Sequence, residues 1–173
     1  MRPILLAPLV LFAGALFFVS ASAPAQEKAG EVRLDVVKYA GLTDAILKCR
    51  GKVVYVDFWF FNCPPCKTGM PHLVEMYSKF HKDGFEVITV NINAEDLPAE
   101  ENLKKSLGVL QENKAAFRNV VLEDGFAVCE KLKIAEFPAA FVFDRKGQWT
   151  RLAQPIDLVA AERLVEKLLR EGK

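Results

Sequence analysis

The sequence predicts an α/β layer fold with a mixed sheet, on three observations. Val53 to Phe61 is apolar at every position except Asp57, and its β-branched and aromatic residues mark a strand buried on both faces, as in parallel sheets. A helical pattern then leads into a second buried strand, Phe85 to Ile92. The chain closes on a strand pair and an amphipathic helix. Strand–helix–strand–helix followed by a hairpin and a helix makes a sheet with strands of both directions.

Composition narrows the class. The 173 residues are 51% hydrophobic and 26% charged, an ordinary globular balance that fits one domain and excludes disorder, collagen and a pure coiled coil. A formal charge of +1 leaves no electrostatic footprint for nucleic acid or an anionic membrane surface. Four cysteines are too few to build a disulfide-framed miniprotein and enough for chemistry.

The first residues stand apart. Residues 1–25 carry one charge, Arg2, then an apolar run from Ile4 to Val19, then small residues ending in Ala23-Pro24-Ala25. That is the three-part pattern of a secretory signal, so the domain is expected to be exported, periplasmic or otherwise extracytoplasmic. The alternative is an uncleaved anchor, because Ile4 to Ala23 approaches the length of a bilayer span. Membrane contact is then confined to this segment. Residues 26–30 are a polar linker, and 31–173 form the folded domain.

Within the domain each element has a local signal. Glu31 to Val37 alternates as a strand does. Thr43 is placed as the cap of a short helix running to Cys49. Lys67 to Lys82 has helical apolar spacing with Pro71 as an expected kink, and Gly84 stops it. Pro98 to Asn113 is an amphipathic helix with Leu103, Leu107 and Leu110 on one side. Val120 to Leu122 is a short strand and Gly125 to Leu132 a short helix. Ala139 to Phe143 and Gln148 to Leu152 are strands around the turn Asp144 to Gly147. Asp157 caps a last helix that turns Leu158, Ala161, Leu164, Val165 and Leu168 inward.

The chemistry sits in Cys63-Pro64-Pro65-Cys66, where a buried strand turns into a helix. With Cys63 as N-cap, Pro64 takes the first helical position, where its missing N–H would be unpaired anyway. Cys66 then falls at the third helical position, with its N–H directed at the Cys63 sulfur. The helix dipole and the orphan N–H groups favour a thiolate at Cys63. Cys63 is therefore the attacking thiol and Cys66 the shielded, resolving one. A zinc site would need a second pair of ligands, which Cys49, Cys129, His72 and His81 do not form in sequence. A c-type haem would need His where Lys67 stands. A structural bridge remains an alternative in an exported chain.

Val56-Asp57-Phe58-Trp59, the Cys63–Cys66 motif with Lys67, and Phe137-Pro138 ahead of a strand together resemble the thioredoxin superfamily. The leader and the long segment from Asn93 to Pro138 resemble its exported TlpA/ResA type. That resemblance implies a thioredoxin-like fold, a central mixed sheet flanked by helices with a helix–strand insertion. It also implies thiol–disulfide oxidoreductase activity on protein thiols and disulfides. Several members of this type act as reductants in cytochrome c maturation. No metal or organic cofactor is required, and a membrane-bound electron donor or acceptor is the implied partner.

The resemblance also assigns roles. Cys63 matches the nucleophile and Cys66 the resolving cysteine. Pro138 matches the cis-proline facing the disulfide, and Phe137 the residue whose backbone pairs with an extended substrate. Asp57 matches the buried acid that takes the Cys66 proton, Trp59 the tryptophan packed beside the disulfide, and Pro64 and Pro65 belong to the substrate-facing loop. Two positions depart from the pattern: Asn62 replaces the aromatic residue before the first cysteine, and Gly69 replaces the ResA-type acid. In the thioredoxin arrangement the helices holding Cys49 and Cys129 share one face of the sheet, so a structural Cys49–Cys129 bridge is expected. Two other functions compete: a thioredoxin-fold module handling copper through Cys63, Cys66 and a histidine, and a binding domain with an inert disulfide.

Overall fold

The computed structural model describes residues 30–171. The signal expected over 1–25, and all but the last residue of the linker, lie outside the described residues. The elements are β1 (Asp35–Val37), α1 (Tyr39–Lys48), β2 (Val53–Trp59), α2 (Pro64–Phe80) with a 3₁₀ turn (His81–Asp83), and β3 (Phe85–Asn91). They continue with α3 (Ala99–Glu112), β4 (Arg118–Leu122), α4 (Gly125–Leu132), β5 (Ala139–Phe143), β6 (Trp149–Arg151) and α5 (Leu158–Glu171).

The strands form one sheet in the order β1-β4-β3-β2-β5-β6. β1, β4, β3 and β2 run parallel, while β5 is antiparallel to β2 and β6 to β5. This is the thioredoxin-like mixed sheet. The helix–strand insertion is α3 with β4, which slots between β3 and the edge strand β1.

Every residue of β2 is buried, because helices cover both faces of the sheet. On one face Val53, Tyr55 and Trp59 pack with Met70, Leu73 and Met76 of α2, Val109 and Leu110 of α3, and Val165 of α5. On the other, Val54, Val56 and Phe58 pack with Leu42 of α1 and Val128 of α4. Alternation along the strand sends apolar side chains to two cores at once, which is why the run shows no polar phase.

Three local expectations shift. α1 starts at Tyr39, and Thr43 lies inside it, its hydroxyl donating to the Ala40 carbonyl at 2.7 Å. The start is capped from a distance, by Asp124 Oδ1 accepting from the Tyr39 N–H at 3.1 Å. α2 begins at Pro64 and runs unbroken through Pro71. α3 buries Asn102, Ser106, Val109 and Leu110, whereas Leu103 and Leu107 are only half-buried. The polar pair turns inward because Asn102 Nδ2 donates to Asn91 Oδ1 at 2.9 Å.

Asn119 pins the inserted strand. Its Nδ2 donates to the carbonyls of Arg33, Ala115 and Phe117 at 2.9–3.0 Å, and its Oδ1 accepts from the Thr89 hydroxyl at 2.7 Å. Asn119→Ala orphans these groups in a site only 2% exposed. The expected loss is about 3 kcal/mol, seen in urea unfolding as a lower midpoint with unchanged slope.

Candidate active site

β2 ends at Trp59, and three loop residues carry the chain to Cys63, the N-cap of α2. Pro64 and Pro65 occupy the first two helical positions. Both are exposed and cap the outer side of the motif. Cys63 and Cys66 are joined in a disulfide with Cα atoms 5.3 Å apart. The Cys66 N–H donates to Cys63 Sγ at 3.3 Å. Burial does not separate the two, since Cys63 is 2% and Cys66 3% exposed. Helix position does: the dipole and a directed N–H act on Cys63.

Phe137 and Pro138 stand at the approach to β5, and the bond between them is cis. The Phe137 ring packs edge-on against Phe60, with centroids 5.5 Å apart and planes at 89°. Pro138 lines a cleft of about 260 Å³ together with Asp57, Cys66, Gly69, Gln154 and Ile156. Asp57, 4% exposed, therefore reaches the same space as the resolving sulfur. Burial raises its pKa to about 8, so it is mostly protonated at neutral pH. Gly69 also lines this cleft, and a Cβ added there would meet only Leu158, at an ordinary contact distance of 3.7 Å.

Trp59 is 0% exposed and belongs to the core cluster that holds both cysteines, so it packs with the motif from the interior and leaves direct substrate contact to the exposed residues. The Cys49–Cys129 bridge is corrected, because both are free thiols. Their helices do share one sheet face, but at different levels. Cys49 ends α1 within electrostatic reach of Lys52, Glu86 and Arg118, at the leading ends of β2, β3 and β4. α4, which carries Cys129, opens against Ile92 and Leu122 at the trailing ends. Burial raises the pKa of each thiol.

Three contacts near the motif had no role in the sequence reading. Gln154 Nε2 donates to the Pro138 carbonyl, from a loop whose Gln154–Pro155 bond is also cis. Asn62 Nδ2 donates to Glu95 Oε1 at 2.8 Å. Lys105 Nζ lies 5.0 Å from the Phe61 ring centroid. A proline two residues before the Asp157 cap was a turn signal, but nothing local shows that the turn folds against Pro138. Among the described residues, no group of three or more His, Cys, Asp or Glu is placed to hold a metal ion, and no helix is long and apolar enough to cross a membrane.

A disulfide at a helix N-terminus, faced by a cis-proline on a sheet of this order, defines a thioredoxin-like domain. The thioredoxin-like family model matches residues 51–149, and the chain belongs to that family. Within it, the chain is similar to the thiol-disulfide oxidoreductase ResA of Halalkalibacterium halodurans, 25% identical over 123 residues, covering 70% of this chain and 65% of that protein. ResA of Bacillus subtilis is 29% identical over 99 residues, covering 57% of this chain and 51% of that one. The chain thus spans about half to two thirds of the length of these relatives. Among solved structures, the thioredoxin domain of a thiol-disulfide oxidoreductase from Bacteroides vulgatus superposes with a TM-score of 0.60 at 30% identity, over 71% of this chain and 83% of that one.

The raised Asp57 pKa has a stability consequence. Between its ordinary value of 3.8 and about 8, the folded state holds a proton that the unfolded chain releases, so stability falls as pH rises through that window. Asp57→Asn removes the titration. At pH 7 the variant is expected to be more stable by roughly 4 kcal/mol, at about 1.4 kcal/mol per pKa unit. Its unfolding free energy, measured from pH 4 to 8, should lack the wild-type decline.

Proposed function

We propose that the protein is an extracytoplasmic thiol–disulfide oxidoreductase that reduces protein disulfides, in cytochrome c maturation or related envelope thiol homeostasis. The observation that carries this reading is the Cys63–Cys66 disulfide at the α2 N-terminus, beside the cleft that Asp57 and Pro138 share. The names of the relatives and the leader-like composition of residues 1–25 support it.

The cycle starts from the dithiol. Cys63 thiolate attacks one sulfur of a substrate disulfide, and the other substrate sulfur leaves as a thiolate. A mixed disulfide to Cys63 forms. The substrate lies extended beside Phe137, whose backbone pairs with it as an added strand, while Pro138 presents no N–H to the sulfurs. Cys66 then loses its proton and attacks Cys63 Sγ, expelling the second substrate thiolate. Two electrons pass to the substrate, and the protein is left with the disulfide seen in the structure.

Asp57 suits the proton step. A carboxyl of pKa about 8 is far more basic than an ordinary one, which is what taking a proton from a thiol requires. Cys66 and Asp57 border one cleft, and water within it is the carrier. A membrane-bound electron donor returns the pair to the dithiol.

Replacing the resolving thiol stops the cycle after its first step. Cys66→Ser is expected to accumulate dithiothreitol-sensitive adducts with envelope proteins on non-reducing gels. Cys63→Ser should form none and reduce insulin disulfides at the uncatalysed rate. A Cys66→Ser protein that forms no adduct while wild type reduces insulin would contradict the two-step route.

A further inference from the structure

Four side-chain atoms beneath the redox motif have no hydrogen-bond partner in the protein: Trp59 Nε1, Asn91 Nδ2, Asn102 Oδ1 and Ser106 Oγ. Their residues are at most 1% exposed. They also converge. Trp59 and Asn91 are register partners at the ends of β2 and β3. Partners in parallel strands project to one sheet face, here the face whose core includes Trp59 and the α3 residues Val109 and Leu110. Asn102 and Ser106 lie one helical turn apart on the buried side of α3. Asn102 already touches Asn91, through Nδ2 to Oδ1 at 2.9 Å.

Counted by atom, the orphans divide evenly into donors and acceptors. A head-to-tail pair of amides leaves one donor and one acceptor over, whichever way both are turned. Trp59 adds a donor and nothing else, and the Ser106 hydroxyl can accept. Two donors and two acceptors match a single water, which accepts twice and donates twice. Without such a water all four stand unpaired in the structure, which native interiors avoid.

We propose that one ordered water is bound at this junction. It accepts from Trp59 Nε1 and Asn91 Nδ2, and it donates to Asn102 Oδ1 and Ser106 Oγ. Through it the inserted helix α3 is anchored to the strand ends that deliver the redox motif. The same segment is gripped from outside by the Asn62–Glu95 hydrogen bond and the Lys105–Phe61 contact. Asn102 and Ser106 are thus positioning residues, acting through Trp59. The inference does not depend on the direction of electron flow or on the substrate.

Nuclear magnetic resonance of the ¹⁵N-labelled protein tests this directly. The chain has two tryptophans, and Trp149 is 59% exposed, so a Trp149→Phe variant assigns the buried indole. The Trp59 indole proton is expected to show a dipolar cross-peak to water, opposite in sign to the diagonal in the rotating frame, which separates contact from proton exchange. Asn102→Leu should abolish that peak and move the indole proton upfield. A wild-type indole without the water contact, or a contact that survives in Asn102→Leu, would overturn the site. Should Asn102→Leu fail to fold, Ser106→Ala decides. It removes one hydroxyl, and an unshifted Trp59 indole proton in it would equally overturn the proposal.

Discussion

A strand buried on both faces has no side to give to water, and the rest of this molecule is arranged around that constraint. β2 lies between β3 and β5, with α2, α3 and α5 over one face and α1 and α4 over the other. Its end is held in a fixed place and direction. The turn that follows therefore delivers Cys63 to the N-cap of α2 and leaves little freedom at the sulfur. The same burial acts on Asp57, the one ionisable carboxylate in the strand, and raises it to about 8. A rigid, buried strand thus sets both the geometry of the cysteine pair and the basicity of the carboxyl that shares its cleft.

The two effects pull on the redox pair in opposite senses. A helix N-terminus stabilises the Cys63 thiolate by roughly 0.3–1 kcal/mol in exposed settings and more when partly buried, which favours the dithiol and makes a protein more oxidising. Asp57, once ionised, adds negative charge to the cleft it shares with Cys66, which disfavours a thiolate in the reduced pair and makes the protein more reducing. Below pH 8 the carboxyl is mostly neutral and this second effect is muted. The balance therefore moves with pH, through one buried group.

Much of the architecture was legible because its signals are local. α4 and β5 occupy the expected residues Gly125–Leu132 and Ala139–Phe143, where short apolar patterns bounded by turn residues leave little choice. The redox motif was legible for the same reason, since a Pro-rich pair of cysteines between a buried strand and a helix is a short-range pattern. What was not legible depends on distant partners. Thr43 has the chemistry of a cap, but Asp124 does the capping from 85 residues away. The leucines of α3 suggested the buried stripe, yet Asn91 draws Asn102 inward. Cys49 and Cys129 lie on the same face, but the level of each along the strands is a property of the assembled sheet. Gln154 meets Pro138 only after β6 has folded back onto β5.

The reduction potential of Cys63–Cys66 tests the central claim most directly. Equilibration with dithiothreitol or glutathione buffers, read by thiol-alkylation gel shift, measures it. A reversible two-electron couple near that of thioredoxin, about −270 mV, is expected of a protein that keeps partner thiols reduced. A couple near about −120 mV, in the range of a dedicated oxidant, would contradict the reductant function, and the absence of any reversible couple would contradict the redox role itself.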